Sequence, residues 1–120
     1  MDMLARSAPE AELINLKFLN LMTIHEDERW IWRDLPRIQC DGMLNPIVVW
    51  RTTPAKWHRV QRHTPSMPNF HTEIDGIVYG VKAGNNRVQV AEHLGYNSIA
   101  ARIFDDHHEA VLACLEYREW

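Results

Sequence analysis

A chain of 120 residues, 46% of them hydrophobic, is long enough to bury a core without staples and leaves little room for a second domain. A net charge of -3 excludes a protein that coats nucleic acid over its whole surface, but it leaves room for a local basic patch. Cys40 and Cys114 lack CxxC spacing and read as reduced thiols, and no run of apolar residues has signal-peptide or membrane-spanning length, so the expectation is a cytoplasmic chain.

Residues 1–11 read as a flexible lead-in, and 12–120 as a single domain. "LINLKFLNL" (13–21) alternates imperfectly and suits a first strand, although its leucines leave a helix open. In "DERWIWRDLPRIQCDG" (27–42), Ile31, Leu35 and Ile38 make one apolar stripe and predict a helix, kinked at Pro36 and stopped at Gly42. "PIVVW" (46–50) predicts a buried strand. Residues 51–73 read as a long basic loop carrying Arg51, Lys56, Arg59 and Arg62, with no acid before Glu73.

Asp75-Gly76 marks a turn into a strand at 77–84. A helix over 85–95 follows, with Val88, Ala91 and Leu94 on one face and Gly95 at its end. "SIAARIF" (98–104) predicts another strand, and 105–120 a last helix. The order β–α–β–β–α–β–α defines an α+β (mixed α/β) domain, a small mixed sheet flanked by helices.

The chemistry concentrates where the 77–84 strand meets the next helix, at Gly84-Asn85-Asn86-Arg87. The first N–H groups of a helix have no intrahelical partner and lie at the positive end of its dipole. An anion is favoured there. Gly84 would let the backbone approach it, Asn85 and Asn86 would donate or cap, and Arg87 would add a charge-assisted contact. The same residues also suit a plain turn and cap.

"DDHHEA" (105–110) admits two readings. Carboxylates and imidazoles suit a metal, but adjacent residues on a helix point about 100° apart. Asp106 with Glu109 makes a capping-box variant, which is the favoured reading. His58, His63 and His71 match no zinc spacing, and no metal site is assigned. The 51–73 segment suits either a solvated loop or a basic flap over a phosphate-rich ligand, with Trp57 as a stacking surface. Trp30, Trp32 and Trp50 read as core or partner contacts.

Taken together, "DGMLNPIVVW" (41–50) and "YGVKAGNNRVQVAEHLGYNSIAARIFDD" (79–106) resemble the N-terminal domain of ParB proteins and the wider ParB/sulfiredoxin superfamily. The resemblance lies in Gly42 to Val49, in the Gly-x-x-Arg box with Ala91 beyond it, and in Leu94 to Ile99. It implies a site for a nucleoside triphosphate, with Mg2+, at Gly84, Asn85, Asn86 and Arg87, lined also by Asn45 and Pro46. Sulfiredoxins carry a cysteine where this chain has Asn85, which argues against sulfinic-acid reduction. ParB proteins carry a basic or histidine residue where this chain has Asn86, and a downstream helix-turn-helix. The expectation is therefore a stand-alone relative, of a kind suited to a phage or mobile element.

The leading functional expectation is a domain that binds a nucleotide or other phosphate ligand, linked to DNA and able to form a homodimer, without a membrane partner. A metal-dependent nuclease or phosphotransferase is one alternative, with Asp41 and Glu92 as candidate catalytic acids and Glu73, Asp75 and Asp105 behind them. A ligand-free protein-interaction module is the other.

Overall fold

The computed structural model describes residues 9–23 and 45–117. The helix expected at 27–42 lies outside the described residues, as do Cys40, Asp41, Trp30 and Trp32. The described elements run β1 (Glu12–Asn15), a short 3-10 turn (Leu16–Phe18), β2 (Leu19–Asn20), β3 (Ile47–Thr52), α1 (Pro54–Arg62), β4 (Val78–Ala83), α2 (Asn85–His93), β5 (Ser98–Phe104) and α3 (His107–Glu116).

The strands form one mixed sheet in the order β1-β5-β3-β4-β2. β3 lies at its centre, parallel to β5 and antiparallel to β4. Its β-branched run fits that place, because a central strand covered on both faces needs continuous apolar character rather than alternation. Ile47 and Val49 face one core with Val81, Val88, Ala91, Ile99 and Ala101, so α2 covers that side. Val48 and Trp50 face a second core with Trp57, Met67, Phe104 and Ala110, so α1 and α3 cover the other.

The structure corrects the sequence reading between β3 and β4. Residues 51–73 are not one long loop: Arg51 and Thr52 complete β3, and Pro54–Arg62 is a helix. Thr53 caps it by accepting from the Lys56 N–H, and Pro54 takes the first helical position, where its missing N–H costs nothing. Trp57 anchors the helix at 1% exposure, so it is a core residue and not a stacking surface. The element order therefore gains a helix between its second and third strands. The segment after α1 is tied down by Gln61, whose Nε2 donates to the carbonyls of Pro68 and Phe70 at 3.1 and 3.2 Å.

The stretch read as one strand at 13–21 is two short strands divided by a 3-10 turn. Asn20, buried at the edge of the sheet, causes the second to hold. Its Nδ2 donates to the carbonyls of Thr72 and Tyr79 at 2.9 and 3.1 Å, and its Oδ1 accepts from the Thr72 N–H at 2.6 Å. The lead-in is pinned at Pro9, whose carbonyl accepts from Arg102 Nη1 at 2.7 Å. Asp75 and Gly76, both at positive φ, make the two-residue turn that the sequence announces.

Gly80 sets the depth of the second core. A Cβ built there would stand 2.0 Å from the Trp57 ring, so the strand needs glycine for the indole to lie against its backbone. Gly80→Ala should destabilise the fold by at least about 2 kcal/mol in urea denaturation, as overpacking does. Combining it with Trp57→Leu should cost clearly less than the sum of the two single changes.

Candidate functional site

The Gly84–Arg87 box lies where β4 ends, α2 begins and β3 starts. Gly84 is the N-cap residue of α2, with φ 104° and ψ 21°, a left-handed conformation that favours glycine. Space makes the same demand, since a Cβ there would lie 2.4 Å from Ile47 Cγ2 and 3.1 Å from the Tyr117 hydroxyl. The first α-helical bond runs from the Val88 N–H to the Gly84 carbonyl at 3.0 Å. The N–H groups of Asn85, Asn86 and Arg87 precede that bond, and Gly84 has no side chain with which to cap them.

Asn85 does not cap the helix. Its Oδ1 accepts from the Met22 N–H at 2.8 Å and holds the chain beyond β2 against the start of α2. Asn86 is half-buried, and its Oδ1 accepts from no described residue. Arg87 turns inward and is 1% exposed. Its Nη1 donates to the Asn45 carbonyl, and its guanidinium lies 5.6 Å from the centre of the Tyr117 ring. Asn45 and Arg87 therefore meet, and Pro46, half-buried, carries the chain from that contact into β3.

The other expected residues lie elsewhere. Glu92 sits seven residues along α2 from Asn85, about 10 Å down the helix axis. It lines a separate cavity of about 220 Å³ with Leu19, Asn20 and Phe70, where partial burial raises its carboxyl pKa. Arg51 lies four residues along β3 from Ile47, about 13 Å away in an extended strand. It is fixed there by a two-pronged ion pair with Asp105, Nε to Oδ1 at 2.6 Å and Nη2 to Oδ2 at 2.9 Å. The pair holds the Asp105 carboxyl below its ordinary range and Arg51 above its own. Lys56, Arg59 and Arg62 are exposed on α1, and Lys56 and Arg59 line a cavity with Trp50 and Asp105. The four expected flap cations are thus divided between β3, where Arg51 is paired with Asp105, and the exposed face of α1.

Asp106 is the N-cap of α3, its Oδ1 accepting from the Glu109 N–H at 3.1 Å, as the capping-box reading expects. Asp105 and Asp106 are both engaged, and no metal-binding cluster occurs among the described residues. No described helix is long and apolar enough to cross a membrane. Sequence reasoning missed Tyr117, which reads in the sequence only as part of a helical face, and Lys82, whose Nζ lies 5.9 Å from the centre of the Trp50 ring. The His107 ring, weighed in the sequence as a metal ligand, lies 4.4 Å from that of Trp50. Burial lowers the pKa of His107 and Lys82, and it raises that of the half-buried Cys114 thiol.

No protein-family model and no curated protein matches the chain. Among solved structures, it is similar to sulfiredoxin from Arabidopsis thaliana, with 19% identity over 89% of this chain and 98% of that one and a TM-score of 0.53. The fold is therefore of the ParB/sulfiredoxin-like class, a mixed sheet with helices on both faces. At that identity the likeness defines the fold alone.

Gly84→Ala should destabilise the protein by more than about 1 kcal/mol, the combined effect of left-handed strain and contact with Ile47. For His107, burial disfavours the charged ring, so its folded pKa lies below the unfolded one. Its contribution is present in full above the unfolded value and is lost as pH falls through that value toward the folded one. Denaturation midpoints should drop more between pH 7 and 5 in the native chain than in His107→Asn, by a small margin because the ring is exposed.

Proposed function

We propose that the Gly84–Arg87 junction binds the phosphate groups of a nucleoside triphosphate, with Mg2+ as their counter-ion. The observation that carries this reading is Gly84. It is a left-handed, side-chain-free N-cap that brings backbone to the helix mouth and leaves the first N–H groups of α2 without a side-chain cap. Arg87 places a fixed positive charge in the same turn, close under that mouth. Asn86 contributes a buried Oδ1 whose lack of a described donor suits a ligand that brings one, as a nucleotide does.

Each charge-assisted hydrogen bond contributes about 1.5–3 kcal/mol. Three or four of them, less the cost of ordering, give a dissociation constant of about millimolar to micromolar. The box holds no thiol, so sulfinic-acid reduction is no part of this proposal.

A second reading has its own support. Asn85 is spent on the Met22 N–H and Arg87 on the Asn45 carbonyl, which is what a box kept only to lock the fold would show. In that case the domain is an interaction module.

Calorimetric titration with CTP, ATP and GTP, with and without magnesium, separates the two. The anion site predicts saturable binding by at least one nucleotide, weakened at least tenfold by Arg87→Ala and by Asn86→Asp. Because Arg87 is buried, Arg87→Lys and a thermal melt of each variant distinguish lost binding from lost fold. Absence of binding by the folded native chain would leave the second reading standing.

A further inference from the structure

We infer that the groove between α1 and the first turn of α3 binds single-stranded nucleic acid through its phosphates. This groove lies at the far end of the sheet from Gly84 and is independent of the anion site proposed there. It is a cavity of about 480 Å³ lined by Lys56 and Arg59 of α1, by Trp50, and by Asp105, Asp106 and His107 at the start of α3.

Charge is the first argument. No acidic residue occurs between Arg51 and Thr72, although the chain as a whole carries -3. Lys56, Arg59 and Arg62 follow one another at three-residue intervals, about 4.5 Å apart along the axis of α1. All three are exposed, and none forms an ion pair with a described residue. Two acids border the groove. Asp105 is paired with Arg51, whereas Asp106 accepts from the Glu109 N–H and keeps its charge. With Arg51, Lys56, Arg59 and Arg62 against these two carboxylates, this face is net positive on an otherwise acidic chain, which fits a polyanion.

Shape is the second argument. The Trp50 indole is fixed by its Nε1, which donates to the Asp105 carbonyl at 3.2 Å, and the His107 ring lies against it at 4.4 Å. His107 is exposed on its other side and presents an aromatic surface within reach of the cations. An unstacked base can enter such a space and lie on that ring while its phosphates follow α1. A duplex keeps its bases stacked inside and would leave the cavity unfilled. An acidic peptide would meet the charge but make no use of the ring.

The test is fluorescence anisotropy with a labelled oligothymidylate of about twelve nucleotides, titrated at several salt concentrations. Three phosphate contacts on a single strand predict a log–log salt slope of about -2, since each contributes about 0.7. The double variant Lys56→Gln/Arg59→Gln should weaken binding at least tenfold and flatten the slope by about 1.4. His107→Ala should weaken binding with the slope unchanged. Lys56, Arg59 and His107 all lie outside Gly84–Arg87, so either assignment can fail alone. The inference is overturned if the native chain does not bind at low salt, or if the double variant keeps the native slope. It is also overturned if a duplex of equal length or poly-glutamate competes as well as the single strand.

Discussion

The burial of β3 on both faces is the constraint from which the rest of the architecture follows. Ile47, Val49 and Trp50 are each at most 5% exposed, and the strand pairs with β4 on one side and β5 on the other. A strand so enclosed cannot slip by one residue, because a slip would exchange the Ile47–Val49 face with the Val48–Trp50 face and disrupt both cores. Its register therefore fixes where each end of the sheet places its chemistry. At the start of β3, Ile47 leaves no room for a side chain at Gly84, and Asn45 receives Arg87. At the other end, Trp50 and Arg51 support the start of α3 through the Asp105 carbonyl and carboxylate.

The two ends differ in physical character. The Gly84 end is built around a buried guanidinium beside a tyrosine ring. Burying a charge is costly unless it is hydrogen-bonded, so Arg87 has to be specified by its surroundings and in turn specifies them. The Trp50 end is open, with exposed cations on α1 and imidazoles at the start of α3. Charges there act through solvent, are screened by salt and contribute little to stability.

Much of this was legible in the sequence where the local signal and the tertiary setting agree. β5 occupies residues 98–104 as expected, because "SIAARIF" is bounded by turn residues and rich in residues that suit a buried strand. The Asp106 cap was legible for a similar reason, with the acceptor three residues before Glu109. α1 was not, because Pro54 and a high density of cations read as loop. Thr53-Pro54 is in fact a helix-start signal, and only Trp57 and Val60 mark the inward face. The division of 13–21 was hidden because its cause, Asn20 bonding to Thr72 and Tyr79, is more than fifty residues away. The inward turn of Arg87 was equally hidden, since an arginine in a first helical turn ordinarily faces water and contacts such as the Asn45 carbonyl and the Tyr117 ring reverse that.

The central claim is that the mouth of α2 receives phosphate. The most direct measurement is an NMR titration of the isotope-labelled chain with magnesium and a nucleoside triphosphate, following backbone amides. The account predicts saturable shifts centred on Asn85, Asn86 and Arg87, reached at lower nucleotide concentration than any shift of Lys56 and Arg59. Shifts confined to α1, or none at the start of α2 in a folded chain, would contradict it.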